Sequence, residues 1–310
     1  MTGYLNPSAS FWHGKRVLLT GHTGFKGAWL ALWLSRLGAL VTGISLPPET
    51  TPNLFSLAKI QTITETHYCD IRDAALLSDL IEKAEPEIVF HLAAQALVHP
   101  SYRDPLTTFS TNVQGTANVL DALRELNTVR VVVAITTDKV YKNLEHPYPY
   151  RETDALGGHD PYSASKAAAE IVIASYKDSY LSAKGIGVAS ARAGNVIGGG
   201  DWSADRLIPD AIRAWDANQP LQIRRPQSVR PWQHVLDPLN GYLTIGVNLM
   251  EGKKISAAYN FGPGEESKLT VQEMASYACS QWPESLGIEI KVDSTAVPES
   301  GLLWLSSDLI

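Results

Sequence analysis

Apolar residues fall into two kinds of stretch through the first two-thirds of the chain. Short, almost unbroken apolar runs at 15–20, 40–45, 67–69, 87–94, 129–136 and 187–193 read as strands. Between them, residues 28–37, 105–125 and the stretch opened by Asp160-Pro161 read as helices. The 87–94 run is nearly continuous, as a strand covered on both faces requires. This alternation predicts an α/β fold with a doubly wound, parallel Rossmann sheet. From Gly194 the pattern changes to a glycine loop, Gly198-Gly199-Gly200-Asp201-Trp202, and a helix at 207–218. We expect a dinucleotide-binding domain over 11–193 and a smaller C-terminal substrate-binding lobe over 194–310, with room for some of its elements to return to the Rossmann core. The chain stops at 305–310 where a final helical segment is expected, so part of that lobe is expected to lie outside this sequence.

The first strand runs into Gly21-His22-Thr23-Gly24-Phe25-Lys26-Gly27 and then a helix. Glycines in such a turn allow a sharp bend and a close approach to a pyrophosphate, while the helix N-terminus supplies N–H groups and a positive dipole. In mid-chain stands Tyr162-Ser163-Ala164-Ser165-Lys166. Residues i and i+4 share a helix face, and a lysine cation beside a phenol favours the phenolate. Such a pair can accept the proton of a sugar hydroxyl while a nicotinamide takes the hydride.

Composition narrows the class. The 310 residues exceed the usual size of one compact domain, and the net charge of −6 argues against broad nucleic-acid or anionic-membrane binding. Residues 28–46 are apolar enough to suggest a membrane span, but Arg36, Gly38 and Gly43 divide them into helix, turn and strand. The start of the chain does not read as a signal peptide, and a cytoplasmic location is expected. The two cysteines, Cys69 and Cys279, are expected to be reduced, buried thiols. His91 and His99 read as satisfied core residues without partners at metal spacing, so no metal is expected. Arg206, Arg224, Arg225 and Arg230 suit a nucleotide diphosphate, and Trp202 or Trp232 can stack on a base.

The glycine turn and Tyr162-x-x-x-Lys166 resemble the extended short-chain dehydrogenase/reductase family, which acts largely on nucleotide sugars. His91-Leu92-Ala93-Ala94-Gln95, Asn112-Val113-Gln114-Gly115-Thr116, Thr136-Thr137-Asp138-Lys139-Val140-Tyr141, Gly157 to Ser163 and Arg230-Pro231-Trp232-Gln233-His234-Val235 extend the likeness from about Phe11 onward. The resemblance implies a nucleotide-sugar dehydratase that oxidises C4, eliminates water across C5 and C6, and returns the hydride to C6. Tyr162 and Lys166 would then serve the C4 hydroxyl, Thr137 the C4 oxygen, Asp138 the leaving C6 hydroxyl, and Lys139 the C5 proton. Glutamate replaces Lys139 in the dTDP-glucose enzymes, and the Asp-Lys form is that of the dehydratases acting on CDP-glucose. Lys139 can act as a base only if its pKa falls well below about 10.4.

The same resemblance assigns Gly21, Thr23, Gly24, Phe25, Lys26, Gly27, Leu92, Ala93, Ala94, Gln95, Asn112 and Thr136, with Tyr162 and Lys166, to the cofactor. Asp70 and Ile71 would border its adenine. Asn195, Arg206, Arg230 and His234 would face the substrate, and His159 also falls in a family motif. The residues leave the choice between NAD and NADP open: Ser45-Leu46-Pro47-Pro48 brings no acidic residue to the second strand end, and His22 and Lys26 suit a phosphorylated ribose. NAD is chosen because dehydratases of this kind recycle it. A homodimer or dimer of dimers is expected from the helices at 105–125 and 161–177. The alternatives are another dehydratase or a 4-epimerase acting on GDP-mannose, dTDP-glucose or a UDP-sugar. A non-catalytic dinucleotide sensor is more distant, since Tyr162 and Lys166 are both retained.

Overall fold

A computed structural model describes residues 7–264, 267–283, 285–291 and 302–309. Its centre is one seven-stranded sheet made of β1 (Arg16–Thr20), β2 (Leu40–Ser45), β3 (Glu65–Tyr68), β4 (Ile88–His91), β5 (Val131–Ile135), β6 (Gly187–Ala193) and β7 (Ala258–Phe261). The order is β7-β6-β5-β4-β1-β2-β3, and every neighbouring pair is parallel. This is the expected doubly wound sheet. Its last strand comes from beyond Gly194, so the C-terminal part of the chain completes the core of the N-terminal part.

β4 and β5 are shorter than the apolar runs at 87–94 and 129–136, ending at His91 and Ile135 on the carboxyl edge. The residues expected at the site follow directly after these two strand ends. β3 falls at 65–68, two residues earlier than expected.

The principal helices are α1 (Phe25–Arg36), α2 (Ala74–Ala84), α3 (Thr116–Arg124), α4 (Pro161–Tyr176), α5 (Leu207–Asp216), α6 (Leu236–Met250) and α7 (Val271–Gln281). α4 starts where Asp160 accepts from the Ser163 amide at 2.9 Å and Pro161 occupies the first turn. α1 starts at Phe25, earlier than expected, and its N-cap Gly24 provides no side-chain hydrogen bond. The helix expected at 105–125 is a helical run with a wide turn at Ser110–Gly115 ahead of α3. That turn holds Asn112, in keeping with the way π-type turns gather at functional positions.

Alternate strand residues feed two cores. Val17, Leu19, Phe90, Val131 and Val133 pack with α1 and α6 residues such as Leu30, Leu34, Leu239 and Tyr242. Leu18, Val89, Val132 and Val188 pack with Leu77, Leu120, Leu123 and Ile173 of α2, α3 and α4. A smaller cluster of Trp215, Leu221, Ile223 and Ala275 packs around α5 and α7.

Residues 302–309 form no helix. Leu302 and Leu305 bridge to Val229 and Tyr150, and Leu303 and Leu305 are buried with Tyr141 and Tyr150. Both cysteines are free, but only Cys69 is buried; Cys279 is half-buried, 3.0 Å from the Ser285 hydroxyl. Among the described residues, no helix is long and apolar enough to cross a membrane.

Candidate active site

The site lies where β1, β4 and β5 release their chains at the carboxyl edge. At β1, Gly21 has φ +79°, and a Cβ there would stand 2.7 Å from the Ala93 amide nitrogen. A Cβ on Gly27 would stand 2.1 Å from the Gly21 oxygen. Only glycine lets the turn, the first helical turn and the β4 exit meet this closely. Thr23 bonds the Ser45 hydroxyl at 2.7 Å and donates to the Leu46 carbonyl at 2.8 Å, tying the turn to the end of β2.

His22 does not line the phosphate turn. Its ring is fully buried, 3.2 Å from the Thr66 hydroxyl and edge-on to Phe55, in space that a Cβ on Gly43 would fill. Burial, helped by the charge of His67, lowers its pKa to about 4, so the ring is neutral and brings no charge to a ribose phosphate. Lys26 is the cation of the turn. Burial, helped by Arg206 and Lys166, lowers its pKa to about 8 against the pull of Asp138 and Asp201.

After β4, half-buried Leu92, Ala93 and Ala94 lead to Gln95. The Asn112 side chain accepts from the Gln95 amide at 2.8 Å and donates to the Gln95 carbonyl at 3.0 Å and the Ser165 hydroxyl at 2.9 Å. It thereby locks the β4 loop to α4. His91 is a satisfied core residue, as expected, held between Thr20 at 2.7 Å and Thr116 at 3.0 Å. His99 is instead paired with Asp205 at 3.2 Å.

β5 releases Thr136, Thr137 and Asp138, all buried, followed by half-buried Lys139. The Thr136 hydroxyl is committed to Glu170 at 2.5 Å. Thr137 donates to Asp138 Oδ1 at 2.9 Å. Burial raises the Asp138 pKa; Lys139, the Thr137 bond, Arg230 and Lys26 oppose it without reversing it. Gly194 makes room for this carboxyl, since a Cβ there would stand 3.2 Å from Asp138 Oδ2.

Tyr162 and Lys166 come to the same place on α4. The Tyr162 amide donates to Ser101 Oγ at 3.2 Å, and Lys166 donates to the Ile135 carbonyl at 3.0 Å. The expected low phenol pKa is not found. Burial pushes Tyr162 up to about 12 against a hydrogen bond with Thr137 and the charge of Arg206, while burial lowers Lys166 to about 8 against the pull of Glu170. Desolvation outweighs the single cation.

From beyond Gly194, buried Arg230 acts electrostatically on Asp138 and donates to the Val229 carbonyl at 2.9 Å. Arg206 pairs with Asp201 at 2.7 Å and acts on Tyr162 and Lys26. Half-buried Asn195 accepts through its backbone carbonyl from the Gln233 backbone amide at 3.2 Å. His234 is exposed, its Nδ1 accepting from the Leu236 amide at 3.3 Å, and His159 is also exposed. Asp70 is held by Arg72 at 2.6 Å, and Ile71 is buried against Gly115. Trp232 donates to the Leu269 carbonyl at 3.4 Å.

Residues 18–298 match a family model described as GDP-mannose 4,6 dehydratase. The chain belongs to this family. A CDP-glucose 4,6-dehydratase of Salmonella typhimurium is 48% identical over 279 residues, covering 88% of this chain and 78% of that protein. DesIV, a dTDP-glucose 4,6-dehydratase from Streptomyces venezuelae solved with NAD and TYD bound, superposes with TM-score 0.76 at 25% identity, covering 94% of this chain and 88% of the other. A UDP-glucose 4-epimerase from Brucella ovis in complex with NAD shares the fold alone, with TM-score 0.78, 24% identity and coverage of 94% and 90%.

Within this GDP-mannose 4,6 dehydratase framework, sequence reasoning passed over Glu170, Arg192, Ser101 and Asp201. Glu170 carried a readable signal, since it stands one further turn along the helix from Tyr162 and Lys166. Arg192, on another strand, carried none.

Proposed function

We propose that the protein is an NAD-dependent hydro-lyase that converts CDP-D-glucose to CDP-4-dehydro-6-deoxy-D-glucose. The observation that carries this reading is Asp138, a buried carboxyl biased toward its protonated form beside Thr137 and the Tyr162 phenol. A leaving hydroxyl needs an acid of this kind, whereas an epimerisation at C4 has no use for one. The 48% identity to a CDP-glucose enzyme supports the choice of substrate.

The Gly21–Gly27 cradle, the uncapped N-terminus of α1, Lys26 and Lys166 fit a dinucleotide pyrophosphate and nicotinamide ribose. Asp70 and Ile71 would lie beside the adenine, and the loop from Leu92 to Gln95, fixed by Asn112, beside the rest. Neutral His22 favours NAD over NADP. When bound, NAD supplies the carrier for the hydride that leaves C4 and returns to C6. The chain's own residues move the protons. Tyr162, as its phenolate, accepts the C4 hydroxyl proton with Thr137 hydrogen-bonded to that oxygen, Lys139, as its free amine, takes the C5 proton, and Asp138 gives its proton to the C6 oxygen, which departs as water. Arg206 and Arg230, with Asn195 and His234 nearer the rim, hold the nucleotide diphosphate.

We place this chemistry in the cytoplasm and in deoxysugar biosynthesis, supported by the net charge of −6 and the two free thiols. A second copy of the chain is the proposed partner. Exposed Leu106, Phe109, Ile171 and Tyr180 lie on the 105–109 helix, on α4 and just after it, and would be covered by it. The decisive experiment mixes the purified protein with CDP-glucose, dTDP-glucose and GDP-mannose in turn and follows the alkaline absorbance of a 4-ketosugar. Absorbance from CDP-glucose alone is expected; none from CDP-glucose overturns the reading.

A further inference from the structure

Three side chains on α4 hold three consecutive residues at the exit of β5. Tyr162 faces Thr137, whose hydroxyl opposes the rise of the phenol pKa, Lys166 donates to the Ile135 carbonyl at 3.0 Å, and Glu170 accepts from the Thr136 hydroxyl at 2.5 Å. Their spacing of i, i+4 and i+8 sets them in one stripe along the helix. Tyr162 and Lys166 belong to the proton chemistry. Glu170 lies one turn further on, with its side chain 5% exposed.

The Glu170 carboxylate accepts from four donors. Besides Thr136, Ser190 Oγ donates at 2.8 Å, Arg192 Nε at 3.0 Å and an Arg192 terminal nitrogen at 2.8 Å. Arg192 continues to the Tyr141 hydroxyl at 2.8 Å and the Glu152 carbonyl at 3.1 Å, and Tyr141 donates to Asn260 at 2.6 Å. A buried pair that carried only its own charges would be complete with Arg192 and Ser190, both on β6. The bond to Thr136 is the one that leads to the site, because Thr137 and Asp138 follow it directly.

We infer that Glu170 is a positioning residue for the reaction: it fixes the register of α4 against the end of β5, so that Tyr162 meets Thr137 and Lys166 meets the Ile135 carbonyl. This rests on the dehydratase reading of the site. The carboxylate also opposes the effect of burial on the Lys166 ammonium one turn away, keeping it charged to higher pH.

Thr136→Val and Ser190→Ala each remove one hydroxyl donor from the same carboxylate, so a purely structural role makes them alike. A positioning role separates them. Thr136→Val should lower kcat at least about tenfold with KM for CDP-glucose within about twofold, while Ser190→Ala leaves kcat unchanged. Glu170→Gln, where it folds by circular dichroism, should also move the alkaline limb of kcat/KM to lower pH, because Lys166 loses its nearby anion. Equal kcat in the two hydroxyl variants, or an unmoved limb in folded Glu170→Gln, overturns the inference. Wild-type protein that makes no 4-ketosugar defeats the dehydratase reading instead. The positioning role is then decided by ultraviolet difference titration of the Tyr162 phenol, assigned with Tyr162→Phe. Its midpoint should rise in Thr136→Val and stay put in Ser190→Ala, and the absence of that split sinks the role.

Discussion

The Lys166 ammonium donates to the carbonyl oxygen of Ile135 at 3.0 Å, so the cation is anchored to the end of β5. The Tyr162 phenol is left to the Thr137 hydroxyl and the field of Arg206, which oppose the effect of its burial. Burial pushes the phenol up to about 12 and lowers the ammonium to about 8. Both groups therefore work outside their ordinary ranges, and their pH dependence follows.

Lys166 should set the alkaline limit of the reaction. Its pKa is lowered, so the ammonium is lost as pH rises through about 8, and kcat/KM should decline there. Tyr162→Phe should bind cofactor and nucleotide yet lose turnover by at least about a hundredfold. Lys166→Ala should weaken both turnover and dinucleotide binding. Steady-state kinetics across pH, with calorimetric binding of NAD, checks all three; near-normal turnover in Tyr162→Phe contradicts the proton-transfer role.

Arg230 is buried and acts on Asp138, so its removal should do two things. Affinity for free CDP, measured by calorimetry, should fall by about 2 kcal/mol or more when a guanidinium on phosphate is lost. The Asp138 pKa should rise further, because a cation that opposes its protonation is gone. Unchanged CDP affinity in Arg230→Ala would return this residue to a purely structural part.

The alternation of strands and helices, the glycine turn and the Tyr162–Lys166 pair are readable from the sequence, because each rests on local spacing. Apolar runs mark buried strands, and four residues bring two side chains onto one helix face. Pairings between distant residues are not local. Whether His22 faces a phosphate or the core depends on the hole opposite Gly43 and on Thr66 of β3. The acidity of Tyr162 depends on how much water the folded site excludes. Glu170 was in plain view at helical spacing, but a helix glutamate is ordinarily solvated, and only Arg192 and Ser190 of β6 explain its burial.

His22 gives a prediction about stability. Its folded pKa of about 4 lies below the ordinary 6.5, so the fold favours the neutral ring. The stability it contributes is complete above pH 6.5 and is lost as pH falls toward 4. At about 1.4 kcal/mol per pH unit, the loss approaches about 3 kcal/mol. His22→Asn should start less stable and show a shallower fall of Tm across that window. Parallel slopes for the two proteins would exclude His22 as the titrating group.

Leu106 and Ile171, 81% and 62% exposed, test the association of two copies. A charge at each centre should cost more in a covered interface than on an open face. Leu106→Glu combined with Ile171→Glu should sediment as a monomer with an unchanged circular dichroism spectrum. A wild-type chain that is already monomeric at micromolar concentration removes the proposed partner.

Asp138 tests the elimination itself. Its carboxyl is buried, hydrogen-bonded to Thr137 and biased toward the acid form, which suits it to protonate a departing hydroxyl. Asp138→Asn keeps the shape but supplies an amide, which is far too weak an acid for that task. The variant should oxidise C4 and then stall, with reduced-cofactor absorbance persisting in a single turnover and no 4-keto-6-deoxy sugar released. In the wild type, deuterium placed at C4 of CDP-glucose should reappear on the C6 methyl, and C5 should take up hydrogen from solvent. Both outcomes follow from a hydride that leaves and returns within one site while the C5 proton passes to a protein base. Deuterium released into free reduced cofactor, with one NAD consumed per sugar, would make the protein an ordinary dehydrogenase. Asp138 and Lys139 would then have no proton to move in its reaction.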